Sequence, residues 1–130
     1  MIKRWMRGLD LSHWNSITPK RIRSAGFEFA IIKATEGVGF RDPSFDDMYL
    51  AIGSWNNCHP DKPIHIGCYH YLRATTKADA EAEAEFFINS IKGLSFDMPV
   101  FVDVEEREIF DTGNAEEITR VFCETVEKAG

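Results

Sequence analysis

The chain has 130 residues, a length suited to one domain, with 15 Lys and Arg against 21 Asp and Glu for a formal net charge of −6. Hydrophobic residues make up 44% and charged residues 28%, a globular balance that excludes a disordered chain. The acidic excess argues against nucleic acid as a partner, because phosphate binding needs a basic face. No apolar run approaches the roughly 20 residues of a membrane span, and the basic opening MIKRWMRG lacks the apolar stretch of a secretory signal.

Taken in chain order, the sequence reads as four strand-then-helix units. The first strand is expected near 8–12, followed by a helix with Thr18 as cap, Pro19 at its first position and Gly26 past its end. The second strand, 28–35, is dense in β-branched and aromatic residues, and its helix is expected to open with Asp42 as cap and Pro43 behind it. The third strand spans 63–72, and its helix runs from Thr75 or Thr76 through the Ala/Glu-rich 77–92 to Gly93. The fourth strand is 98–105, and the last helix starts in a capping box of Asn114 and Glu117. Such alternation implies parallel strands with right-handed crossovers, in either a doubly wound sheet or a (β/α) barrel.

The segment Pro99-Val-Phe-Val-Asp-Val-Glu-Glu106 carries the strongest chemical signal. Strand alternation puts Phe101, Asp103 and Glu105 on one face and Val100, Val102 and Val104 on the other. Asp103 and Glu105 then stand about 6.6 Å apart at a strand's C-terminal end, where α/β active sites lie. Carboxylates so close resist ionising together, so the pair reads either as a general acid beside an anion or as a solvated strand end with both acids facing water. Asp10 ends the first strand in the same manner and reads either as the third member of a carboxylate cluster or as a turn or cap residue. Trp14 reads either as a sugar-stacking ring or as core, and His13 as a local hydrogen-bonding group. Glu36 reads as a rim residue or as half of a surface salt bridge. Tyr69 shares a face with Tyr71 and reads as a cleft donor or a core ring, while Cys68 and His70 share the opposite face. Glu106 and Glu108 read as solvated, and Phe86-Phe87 as core. The three cysteines, Cys58, Cys68 and Cys123, have neither disulfide-framework nor zinc spacing and read as buried free thiols. His59 and His65 make a poor metal pair, and Gly37-Val-Gly39 lacks the remaining parts of a phosphate loop.

In this order the motifs resemble glycoside hydrolase family 25, the Chalaropsis-type lysozymes or N-acetylmuramidases. The residues that carry the resemblance are Gly8-Leu-Asp10-Leu-Ser-His-Trp14, Lys33-Ala-Thr-Glu36-Gly37, Gly67-Cys-Tyr69-His70-Tyr71 and Pro99-Val-Phe-Val-Asp103-Val-Glu105. The resemblance implies an irregular β/α barrel that cleaves the β-1,4 bond between N-acetylmuramic acid and N-acetylglucosamine in peptidoglycan. It implies Glu105 as proton donor, Asp103 as the group that orients the substrate's 2-acetamido nucleophile, and Asp10 as a further acid. Trp14, Glu36 and Tyr69 are implied as substrate contacts, and no metal or organic cofactor is expected. Asn15-Ser16 departs mildly from the family pattern after the Trp.

Family members continue through further strands, one bearing another active-site acid, whereas here the sequence stops at Gly130 after four units. A half-barrel of that kind is expected to leave its first and fourth strands as edges. It would be a fragment, an open sheet, or half of an assembly closed by a second copy or another chain. The alternatives to an active muramidase are a non-catalytic glycan-binding half-barrel and an inactive remnant. Substrate chemistry places the action outside the cell, in the wall.

Overall fold

A computed structural model describes residues 5–130; the first four residues of the basic opening segment lie outside the described residues. The strands are β1 (Gly8–Leu11), β2 (Phe29–Glu36), β3 (Phe40–Arg41), β4 (His65–Tyr71) and β5 (Phe101–Asp103). The helices are α1 (Pro19–Ser24), α2 (Phe45–Cys58), α3 (Lys77–Ile91), α4 (Arg107–Asp111) and α5 (Ala115–Lys128). The strands form one sheet in the order β1-β2-β4-β5, with β3 attached to β2. The pairs β1/β2 and β4/β5 are parallel, as alternating strands and helices require. Strands β1 and β5 are the ends of that order, as expected.

Helix punctuation follows the sequence closely. The Thr18 hydroxyl accepts from the Arg21 N–H at 3.3 Å, Pro19 opens α1, and Gly26 takes φ +90° beyond its end. The Thr76 hydroxyl likewise accepts from Asp79 N–H at 3.1 Å to start α3.

Four local expectations need correction. Helix α2 starts at Phe45 rather than at Pro43, because the Asp42 carboxylate instead takes the backbone and hydroxyl donors of Ser44. The two-residue β3, antiparallel to β2, was not foreseen. Strand β5 is only three residues long: Pro99 has no N–H to offer the ladder, and the chain turns out into α4 after Asp103. The capping box at Asn114 does not form; its side chain makes no cap bond, and its N–H goes to the Thr112 hydroxyl at 3.0 Å.

The described residues pack as two compact units, 5–33, 42–68 and 95–100 in one and 34–41, 69–94 and 101–130 in the other. Strands β2 and β4 each give their first half to one unit and their second half to the other. In the first unit, Leu11, Ile22, Ile32, Phe45, Ile52 and Ile64 are buried. Asn56 brackets Ile64, donating to its carbonyl at 2.9 Å and accepting from its N–H at 2.7 Å. Asp97 does the same work at the start of β4, accepting from the His65 ring and from Ile66 N–H at 2.6 Å.

Gly8 sits opposite Phe29 in the β1/β2 register, and a Cβ there would fall 2.1 Å from the Phe29 ring. Gly8→Ala is therefore expected to cost about 1–3 kcal/mol, as overpacking does. Thermal unfolding checks this; an unchanged midpoint would mean that the ring swings aside freely.

In the second unit α3 packs against α5. Ala80, Glu83, Ala84 and Phe87 of α3 are buried, as are Ile118 and Phe122 of α5. Their spacing of three and four residues places each set on one helix face. Of the cysteines, only Cys68 is buried, and burial pushes its thiol up to about 12; Cys58 is exposed and Cys123 partly so, which corrects the expectation for those two.

Candidate active site

In the second unit, β2, β4 and β5 end at Glu36, Tyr71 and Asp103. Tyr71 and Asp103 are register partners, so parallel pairing puts their side chains on one face. Past these ends the residues form a polar cluster around Arg73. The guanidinium binds the Glu36 carboxylate and reaches Glu106 Oε1 at 3.2 Å. The Tyr71 hydroxyl donates to that same Glu106 oxygen at 2.9 Å. The Glu36 carboxylate is thus ion-paired at the end of β2. Glu106 is not merely solvated, which corrects the earlier reading.

Burial, the bond to Glu106 and the negative charges of Glu105 and Glu106 together push the Tyr71 phenol well above its usual range, against the opposing pull of Arg73. Tyr71 is thus a protonated donor at any working pH. Tyr69, the tyrosine singled out from sequence, lies two residues earlier opposite Phe101 and is partly buried. Glu105 follows β5 in an extended stretch before α4 and is exposed. Among the described residues it makes no hydrogen bond or ion pair, while its acidic neighbours Glu36 and Glu106 are both tied to Arg73.

Beneath this cluster runs a buried polar chain. The Thr35 hydroxyl meets His70 Nδ1 at 2.7 Å, and His70 Nε2 donates to Glu83 Oε1 at 2.8 Å. That oxygen also accepts the Arg73 backbone N–H at 3.0 Å. The Phe122 ring stacks on His70 with centroids 4.8 Å apart. Sequence reasoning missed Glu83, taking the Ala/Glu run as ordinary helix composition. Its signal was there: Glu83 shares the spacing of Ala80, Ala84 and Phe87, an acid inside an apolar stripe.

In the first unit, Asp10 is an exposed residue of β1, paired in register with Ile31. Trp14 is 81% exposed, which removes the core alternative. Its loop is held by short bonds: Ser12 N–H to Asn15 Oδ1 at 3.0 Å and Trp14 N–H to Ser12 Oγ at 3.3 Å. The His13 ring lies 4.4 Å from the Trp14 ring and is anchored by Asp42, whose Oδ2 accepts from His13 N–H at 2.9 Å and Nδ1 at 3.1 Å. Among the described residues, no group of three or more His, Cys, Asp and Glu side chains could hold a metal ion.

Asp42 fixes this loop electrostatically. Burial alone would raise its carboxyl, but the donors of Ser44 and His13 outweigh burial and hold it below the usual carboxylate range. The unfolded chain therefore binds a proton at higher pH than the folded one. The resulting stability is present above about pH 4, the ordinary carboxylate value, and drains away as pH falls through the lower folded value. We expect Asp42→Asn to flatten the acid limb of stability, read by urea unfolding across the acid range; an unaltered limb would show that other carboxylates set it.

A mixed α/β protein with acids gathered at the ends of parallel strands is the class that fold and site define. Residues 9–130 match the family described as Glycosyl hydrolases family 25, and the chain belongs to it. It is similar to the autolytic lysozyme of Clostridium acetobutylicum, 40% identical over 101 residues, which cover 77% of this chain and 28% of that protein. It is similar to lysozyme M1 of Streptomyces globisporus, 35% identical over 104 residues, covering 77% of this chain and 33% of that one. The chain thus spans about a third or less of the length of these two relatives. In fold it resembles the modular autolysin LytC from Streptococcus pneumoniae, solved in complex with a synthetic peptidoglycan ligand. That likeness has a TM-score of 0.74 at 22% identity, over 95% of this chain and 30% of that one.

Proposed function

We propose that this protein is a peptidoglycan hydrolase that cleaves the β-1,4 bond between N-acetylmuramic acid and N-acetylglucosamine. Glu105 gives its proton to the leaving glycosidic oxygen. Asp103 orients the substrate's 2-acetamido group as internal nucleophile, and Asp10 is a further acid of the set. Acids two residues apart, one ending β5 and the other on the extended segment just behind it, approach a sugar from one side, which suits a substrate-assisted route better than attack from opposite faces. Trp14, Glu36 and Tyr69 serve the glycan as contacts, Trp14 through its open ring face.

The observation that carries this reading is the state of Glu105. At a strand end where the neighbouring acids are bound to Arg73, it alone of Glu36, Glu105 and Glu106 stands exposed and unengaged, ready to meet an outside partner. Family membership and the lysozymes among its relatives support the same chemistry.

The test is incubation with purified peptidoglycan, followed by reduction of new chain ends. Muramitol in the hydrolysate is the expected product. Glucosaminitol would place the cut at the other glycosidic bond, and no new ends would refute hydrolysis by this chain. Retention on insoluble peptidoglycan without cleavage would favour the glycan-binding reading, for which the exposure of Trp14 speaks. A second copy or another chain added beside β1 or β5 is compatible with either reading, and the solution mass distinguishes these from a monomer.

A further inference from the structure

We propose that Arg73 is a positioning residue for Glu105; this rests on the reading of Glu105 as proton donor. Arg73 follows β4 immediately after Leu72, and its side chain ties together groups from three stretches of chain. It binds Glu36 at the end of β2 and Glu106 at the threshold of α4, and its guanidinium lies 5.5 Å over the ring of Tyr71 at the end of β4. Its own backbone is pinned from below by Glu83 of α3. Glu106 is the neighbour of Glu105 in the chain and is held by two donors, the Arg73 guanidinium and the Tyr71 hydroxyl.

On either side of Glu105 the backbone is fastened as well. Leu72 N–H donates to the Asp103 carbonyl at 3.0 Å, and Ile109 N–H to the Glu106 carbonyl at 3.1 Å. The segment that carries Glu105 is therefore set by its surroundings, while its carboxylate stays in solvent. An ion pair whose Arg side chain is 53% exposed adds little to global stability. Its role in placing a chain segment is separate from that stability, and the two can be measured apart.

Arg73→Gln removes the fork and its charge; Arg73→Lys keeps the charge alone. Amide exchange by NMR is followed in both, beside turnover of a soluble peptidoglycan oligosaccharide. In Arg73→Gln the Leu72 and Ile109 amides are expected to exchange several-fold faster, with Phe122 in α5 unchanged. The kcat is expected to fall about tenfold with KM nearly constant, because misplacement costs rate more than binding. Arg73→Lys should recover only part of both effects, since an ammonium cannot bridge two carboxylates as a planar fork does. Unchanged Leu72 and Ile109 amides would overturn the positioning role, as would loosened amides with undiminished kcat in an active enzyme. Loosened amides in a protein whose wild type cleaves nothing would leave the positioning intact and refute the hydrolase reading instead.

Discussion

Glu105→Gln is expected to lower glycan cleavage by about 10²–10⁴-fold, the usual worth of a placed general acid. The amide matches the carboxyl in shape and has no proton to give to the leaving oxygen. Glu105 is exposed and makes no hydrogen bond or ion pair among the described residues, so the fold has no use for its charge. Stability should accordingly stay within about 0.5 kcal/mol of the wild type, as for most surface changes. The two measurements together are decisive. A loss of rate accompanied by a lower unfolding midpoint would point to damage rather than lost chemistry. Retained cleavage in Glu105→Gln would move the proton donor to another residue.

Glu83→Ala is expected to have the largest effect on stability, about 3–5 kcal/mol, read by urea or thermal unfolding. Glu83 is 3% exposed, and one of its oxygens serves both His70 Nε2 and the Arg73 backbone N–H. Truncation orphans one buried donor, on His70, and one part-buried donor, the Arg73 N–H, each costing up to about 1–3 kcal/mol. Glu83→Gln keeps the volume and an acceptor oxygen, and should lose less than half as much. If Glu83→Ala cost under about 1 kcal/mol, His70 and Arg73 would have to find other partners, and the buried chain would not be the support described above.

Much of this was legible in the sequence because short-range chemistry decided it. Thr18, Pro19 and Gly26 punctuate α1 through one cap bond, one fixed φ and one left-handed turn, none of which depends on distant residues. The alternation of β4 likewise separated Cys68 and His70, both buried, from Tyr69 and Tyr71, both half-buried. The start of α2 was misread because the Asp42 carboxylate is shared between Ser44, two positions on, and His13, 29 positions away, a partner that local sequence does not reveal. The same holds at the strand ends. Glu36, Arg73 and Glu106 are ordinary charged residues until folding puts one cation between two anions. The roles of Asp103 and Glu105 came from spacing and resemblance. What the spacing did not reveal is that β5 stops at Asp103 and leaves Glu105 on an extended exit segment, supported by its neighbour.

The pairing of Thr35 with His70 has a consequence for how the chain finds its native alignment. Around it, β2 and β4 bury Ala30, Ile32, Ala34, Ile66 and Cys68, and apolar side chains of that kind can slide past one another at little penalty. A slip of two residues would keep the apolar surfaces matched yet set Thr35 against Cys68 or Leu72 and strand the imidazole. One hydroxyl and one ring thus act as an address, rejecting near-miss alignments that hydrophobicity alone would tolerate.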